Sequence, residues 1–243
     1  MTYLNQIRTR LKLSQQCTFP AYIKEFGLDL IVNEGVFSPV EFQNWRWLTE
    51  NFPPVAGKSI LEIGCGFGLP GLYLAKLGAL SLLACDIDSK AVRNTSENAA
   101  RNGIQNVEVI ESDIFSEIPL NRKFDLIFWN YPSVFAPDDY KYKDNLERGA
   151  IDPGYRLLSR FLSEGPEFLT ESGCILLGFA GGARDDLLSE IIDANDLASV
   201  LLASGTAPHA SQIYRMFSIR KSSRRNCEGR SEEQDGQGAP PSC

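Results

Sequence analysis

Residues 60–71 read ILEIGCGFGLPG, an apolar run that stops against Gly64, Gly66, Gly68 and Gly71. A buried strand that gives way to a glycine-rich turn and then to a helix opens a strand–helix–strand unit. Glycine takes left-handed backbone angles without a Cβ penalty and lets a ligand approach the main chain closely. Two registers compete for this loop. Read from Gly66, the glycines form G-x-G-x-x-G, the arrangement that cradles a dinucleotide pyrophosphate. Read from Glu62, the same stretch is E-x-G-x-G-x-G, with an acid placed where pyrophosphate would be repelled.

The pattern downstream is regular. Apolar strand runs over 59–64, 80–87, 107–114, 124–130 and 174–179 are separated by helical stretches over 68–78, 89–101 and 153–169. A further helix is expected over 185–192, followed by two strand runs, 198–204 and 212–219, with no helix between them. Pro70 lies in the first turn of the first helix and Gly78 ends it, while Asn102-Gly103 ends the second. Seven strands in this rhythm predict an α/β fold: a mostly parallel sheet with helices on both faces, closed by an antiparallel hairpin at one edge. Residues 1–52 read as an N-terminal helical segment, with Leu4, Ile7, Leu11 and Leu13 on one helical face. A short strand, a turn at Gly35 and a helix opened by Pro39 follow, and Trp45 and Trp47 are expected to pack there. The main domain spans 53–220, and 221–243 is a polar tail too poor in apolar residues to build a core.

Composition narrows the function. The 243-residue chain carries a formal net charge of −7, which disfavours a large nucleic-acid footprint. Its six cysteines are scattered singly, as expected of reduced thiols in the cytoplasm. The single histidine, His209, sits in the expected turn of the final hairpin, so neither a histidine-based triad nor a metal site is expected. No apolar run is long enough to span a bilayer, and the first residues lack the apolar core of a secretory leader.

In an open α/β sheet the ligand binds beyond the carboxyl ends of the strands. Glu62 and the glycine loop follow the first strand, and Asp86 with Ile87 and Asp88 follows the second. Asp113 and Ile114 follow the third, and Asn130, Tyr131, Pro132 and Ser133 the fourth. An acid in the position of Asp86 is placed to accept hydrogen bonds from ribose hydroxyls. The strand ends at Gly64, and counting from there puts Leu69 where the dinucleotide fingerprint requires its third glycine. The Glu62 register uses every residue and favours a cofactor with a cationic amino acid end, S-adenosylmethionine.

LEIGCGFG, ACDID, ESDIF and DLIFWNYPS resemble, in order and spacing, the four motifs of class I S-adenosylmethionine-dependent methyltransferases, with their Rossmann-like fold. GVFSP upstream and Asn-x-Pro after the fourth strand resemble more narrowly the small-domain group, which includes the release-factor glutamine N-methyltransferases. The resemblance implies that Glu62, Gly64, Gly66 and Gly68, with Cys65 between them, line the methionine part of the cofactor. It implies that Asp86 holds the ribose diol, that Asp113 accepts the adenine amino group, and that Ile87 and Ile114 sandwich the ring. Asn130 and the Tyr131 carbonyl, with Pro132, are then expected to orient a target nitrogen toward the methyl group, Asn130 also bordering the cofactor.

The family's fourth motif normally carries an aromatic residue where this chain has Ser133, which cannot stack on a planar base. The expected reaction is therefore N-methylation of an amide or amine on a small molecule or protein side chain, with residues 1–52 forming part of the substrate cover. A nucleic-acid base N-methyltransferase and a non-catalytic cofactor-binding relative are the alternatives. No membrane partner is expected, and nothing in the sequence speaks for or against self-association.

Overall fold

A computed structural model describes residues 3–180, 183–206 and 212–222. The chain begins with α1 (Tyr3–Ser14) and a hairpin of β1 (Ala21–Glu25) and β2 (Leu28–Val32), then α2 (Asn44–Glu50). The alternating part follows as β3 (Ser59–Ile63), α3 (Gly71–Lys76), β4 (Ser81–Asp86), α4 (Ser89–Arg101), β5 (Val107–Glu111) and β6 (Phe124–Asn130). An insertion of β7 (Val134–Ala136), α5 (Asn145–Arg148) and β8 (Ile151–Pro153) leads into α6 (Arg156–Glu164) and a 3-10 turn. β9 (Leu169–Ala180), α7 (Asp185–Ala194), β10 (Leu197–Thr206) and β11 (Ile213–Lys221) complete the described chain.

The seven-stranded sheet runs β10-β11-β9-β6-β3-β4-β5, with β3 paired in parallel to both β4 and β6. The chain therefore winds outward one way from β3 and then returns to wind the other way from β6. The crevice at this reversal is where an open α/β sheet binds its ligand. β10 and β11 form the expected antiparallel hairpin. Along β6, Leu126 and Phe128 enter one core cluster and Ile127 and Trp129 the other, so both faces of the sheet are covered.

One polar device fixes the N-terminal hairpin to the domain. Asn94 and Asn98 on α4 and Asn102 at its C-cap, four residues apart, share one helical face. Their side-chain oxygens accept from the main-chain N–H groups of Asn33, Ile31 and Asp29 at 2.8 Å each. Their amide nitrogens donate to the carbonyls of Ile31 and Asp29. The edge of β2 thus pairs with a helix through side chains that imitate a neighbouring strand. Asn98 also donates to the Phe67 carbonyl at 2.8 Å, tying the same helix to the glycine loop.

Several local expectations shift. The helix after Pro39 begins only at Asn44. The expected helix over 153–169 runs from Arg156 to Glu164, because both Asp152 oxygens cap its first turn through the N–H groups of Leu157 and Leu158. Gly173 lies inside β9 rather than before it. Leu13 is exposed, while Ile7 and Leu11 hold α1 against the insertion. His209 and residues 223–243 lie outside the described residues.

Candidate active site

At the carboxyl end of β3 the chain turns through Gly64 (φ +70°) and Gly66 (φ +56°). A Cβ on Gly64 would lie 3.1 Å from Trp129 Nε1, whereas a Cβ on Gly66 would meet nothing within 4 Å. The main chain at Gly66 therefore borders open space while its neighbours are packed. Asp86 braces the turn, its Oδ2 accepting from the Gly66 N–H and its Oδ1 from the Asp88 N–H, both at 3.0 Å. Burial raises the Asp86 pKa, and these two N–H donors oppose that rise. Thr95 Oγ1 donates to the Gly66 carbonyl at 3.0 Å from the other side. Cys65 is buried in the loop, and desolvation pushes its thiol well above the usual range.

Glu62 departs from the expectation. Its side chain lies beneath the loop, 2% exposed, and does not line the cavity. Oε1 accepts from the Gly71 N–H at 3.1 Å, and a Cβ on Gly71 would come within 2.0 Å of Oε2. Oε2 has no hydrogen-bond partner among the described residues, and burial pushes the carboxyl up to about 8. Glu62 thus anchors the loop to the first turn of α3. Gly68 is also absent from the cavity wall, since a Cβ there would lie 2.6 Å from the Leu72 side chain. It allows the loop to pack on α3.

A single cavity joins the remaining expected residues. Gly64, Cys65, Gly66, Asp86, Ile87, Asp113 and Ile114 line one end, and Asn130, Tyr131, Pro132 and Ser133 line the other. Ile87 is 41% exposed, whereas Ile114 is buried with φ +55°, its carbonyl accepting from Ser112 Oγ at 3.0 Å. The Asp113 carboxylate pairs with Arg160 at 3.0 Å. The open face of Gly66, the braced acid at Asp86 and the apolar side chains of Ile87 and Ile114 on the cavity wall fit a ligand with a polar tail, a ribose and a flat ring.

At the other end Asn130 Oδ1 accepts from Asn44 Nδ2 at 2.7 Å. The Tyr131 ring stacks on Phe179 with 4° between planes, and its hydroxyl donates to Asp152 Oδ2 at 2.7 Å. Burial beside Asp152 drives that hydroxyl well above its ordinary pKa. Ser133 has a structural use: its Oγ accepts from the Ala180 N–H and its carbonyl from the Tyr155 hydroxyl. The motif loop is therefore stapled to β9 and α6. Trp45 packs edge-on against Phe67 and also borders the cavity, while Trp47 packs against Tyr214. Gly35, Val36, Phe37 and Pro39 close one side, and Tyr3, Ile7 and Arg10 of α1 another.

The parts played by Asn44 and Asp152 have no local signal in the sequence, because their partners Asn130 and Tyr131 are remote in the chain. The Asn94, Asn98 and Asn102 spacing was visible in the sequence as one helical face of polar residues.

The model of the methyltransferase small domain matches residues 27–178, more than half of the chain. A Methanocaldococcus jannaschii protein provisionally assigned as a protein N5-glutamine methyltransferase is 34% identical over 152 residues, covering 61% of this chain and 74% of that one. The release factor glutamine methyltransferase of Fusobacterium nucleatum is 27% identical over 71% of this chain, which spans about half (51%) of that relative. Among solved structures, the T. thermophilus 16S rRNA N2 methyltransferase in complex with AdoMet and guanosine shares the fold. Its TM-score is 0.58 at 19% identity, over 83% of this chain and 50% of that one.

Proposed function

The chain belongs to the methyltransferase small-domain family, and from that premise we propose that it transfers a methyl group from S-adenosylmethionine to an amide or amine nitrogen. The observation that carries this reading is the single cavity with the glycine loop and Asp86 at one end and Asn130-Tyr131-Pro132 at the other. In this reading Gly64, Cys65 and Gly66 bind the amino acid end, Asp86 the ribose, and Ile87, Asp113 and Ile114 the adenine. Bound there, the cofactor supplies an electrophilic methyl group.

The chain's own residues have a positioning task. Asn130 Oδ1, held by Asn44, and the Tyr131 carbonyl accept the hydrogens of the target nitrogen, which turns its lone pair toward the cofactor end. Holding reactants in such an in-line pose is most of what a displacement of this kind requires. The nitrogen then sheds its proton to water, so no strong base is called for. α1 and the segment around Phe37 cover the cavity and exclude solvent, the role we assign to residues 1–52. Residues 53–220 form the catalytic domain. Four free thiols among the described residues support a reducing cytoplasmic compartment.

A small molecule or a protein side chain is the favoured acceptor. The glutamine methyltransferases among the relatives support an amide, and Ser133, committed to Ala180, offers no ring for a nucleobase. Incubation with methyl-labelled S-adenosylmethionine and separated protein, RNA, DNA and small-molecule pools tests the reading. Label is expected in the protein or small-molecule pool, and dominant labelling of RNA or DNA would overturn it.

A further inference from the structure

The acceptor end of the cavity has an unbalanced charge. The acids lining the cavity, Asp86, Asp88 and Asp113, lie at or just beyond the carboxyl ends of β4 and β5, at the cofactor end. Among the described residues the cations lining it are Arg10 of α1 and Arg148 of α5. Arg8, Arg46, Arg156 and Arg160 each pair with a carboxylate, but no ion pair reaches Arg10 or Arg148 among the described residues.

Both guanidinium groups are nonetheless held. Arg10 lies over the Phe42 ring at 4.4 Å and donates to the Glu41 carbonyl, while Arg148 lies over the Tyr142 ring at 4.9 Å. Stacking on an aromatic face restrains the plane of a guanidinium and leaves its edge N–H groups for a partner. The two helices that carry them are clamped together next door, where Arg8 Nε meets Glu147 Oε1 at 2.9 Å. The other Glu147 oxygen accepts from the Tyr140 hydroxyl at 2.8 Å and from the Lys143 N–H at 3.0 Å. Glu147 is thereby committed to the clamp, and Arg10 and Arg148 line the cavity with no ion pair among the described residues.

We propose that Arg10 and Arg148 form an oxyanion subsite, and that the methyl acceptor is a small molecule carrying a carboxylate or phosphate near its amide or amine nitrogen. This rests on the methyltransferase reading above. The planar fork of arginine matches either oxyanion. A polyanion fits poorly, because nucleic acids are gripped by many phosphate contacts and a basic surface, whereas this chain carries a formal net charge of −7. Contact with a group remote from the reacting nitrogen contributes equally to ground and transition states, so it acts on KM rather than kcat.

The test uses the full chain, methyl-labelled S-adenosylmethionine and the small-molecule fraction of a cell extract, before and after passage over an anion exchanger. Label is expected in that fraction and lost when the exchanger removes anions. Carboxylate-blocking and phosphatase treatment of the fraction distinguish the two oxyanions. Arg10→Gln and Arg148→Gln are each expected to raise the apparent KM about 10-fold or more, the size of a lost charge-assisted hydrogen bond, with kcat within about twofold. Arg→Lys at the same positions restores part of the loss. The affinity for S-adenosylhomocysteine is expected to stay at the wild-type value. The proposal falls if label persists in the neutral flow-through, if protein or RNA is the labelled pool, or if neither Gln variant changes KM. It falls equally if S-adenosylhomocysteine affinity drops in step with KM, since the arginines then hold the cofactor's carboxylate. Absence of label from every pool while S-adenosylhomocysteine still binds would instead sink the transferase reading, and the subsite with it.

Discussion

At the β3–β4 end of the cavity, short connections close on themselves: Asp86 holds Gly66, Cys65 N–H reaches the Cys85 carbonyl, and Glu62 holds Gly71 across nine residues. At the Asn130 end the contacts cross the chain. Asn44 reaches Asn130 across 86 residues, and Arg8 reaches Glu147 across 139. The first end pairs main-chain N–H groups with oxygens from the same strand–helix unit, and the second joins side chains from separate segments.

The contrast can be broken in order of effect. Asn130→Ala removes the acceptor of the target N–H and is expected to lower kcat about 100- to 1,000-fold, comparable to losing one aligned hydrogen bond to a reacting group. Steady-state methyl transfer checks it, and an unchanged rate would remove the target nitrogen from this end of the cavity. Gly71→Ala attacks the opposite end, since its Cβ would press on Glu62 Oε2. A loss of about 2–3 kcal/mol in urea unfolding is expected for such overpacking. Wild-type stability would show that Glu62 does not anchor the loop.

A titration sharpens the same point. The Glu62 carboxyl holds its proton up to about pH 8 in the fold, against an ordinary value of 4.5 in the unfolded chain. Folding takes up a proton between those limits, so this contribution is complete below pH 4.5 and is lost as pH rises through about 8. Glu62→Gln, which does not titrate, is expected to flatten stability between pH 5 and 8 by about 3–4 kcal/mol. Equal pH slopes in the two proteins would contradict the buried, protonated assignment. The smallest effect is at Asn44, whose loss frees Asn130 without removing it: Asn44→Ala is expected to cost about tenfold in kcat.

The same contrast explains what could be read from the sequence. α4 was legible from Ser89 to Arg101 because Asp88 caps it, its Oδ1 accepting from the Lys90 N–H, and Asn102-Gly103 ends it. β3, β4 and β6 were legible as apolar runs that both faces of the sheet bury. β1 was not, since Tyr22 and Lys24 face solvent and its pairing with β2 leaves only a weak apolar alternation. The insertion folds as a two-stranded parallel ladder, Val134 opposite Ile151, set by packing against α1 rather than by local pattern. Ser133 read as a missing aromatic, while its hydrogen bond to Ala180 depends on β9, 47 residues away. Glu62 read as a cavity residue because its position at the strand end was visible and its direction was not.

Calorimetric titration of S-adenosylhomocysteine into the wild-type protein, Asp86→Ala and Asn44→Ala tests most directly whether one cavity has these two separable ends. Asp86→Ala, which removes the brace on Gly66 and the ribose acceptor together, is expected to weaken binding about 10- to 100-fold. Asn44→Ala is expected to bind within about twofold of wild type, because its hydrogen bond goes to Asn130 at the acceptor end. Equal weakening in both variants, or binding of NAD by a wild-type protein that does not bind S-adenosylhomocysteine, would contradict the account.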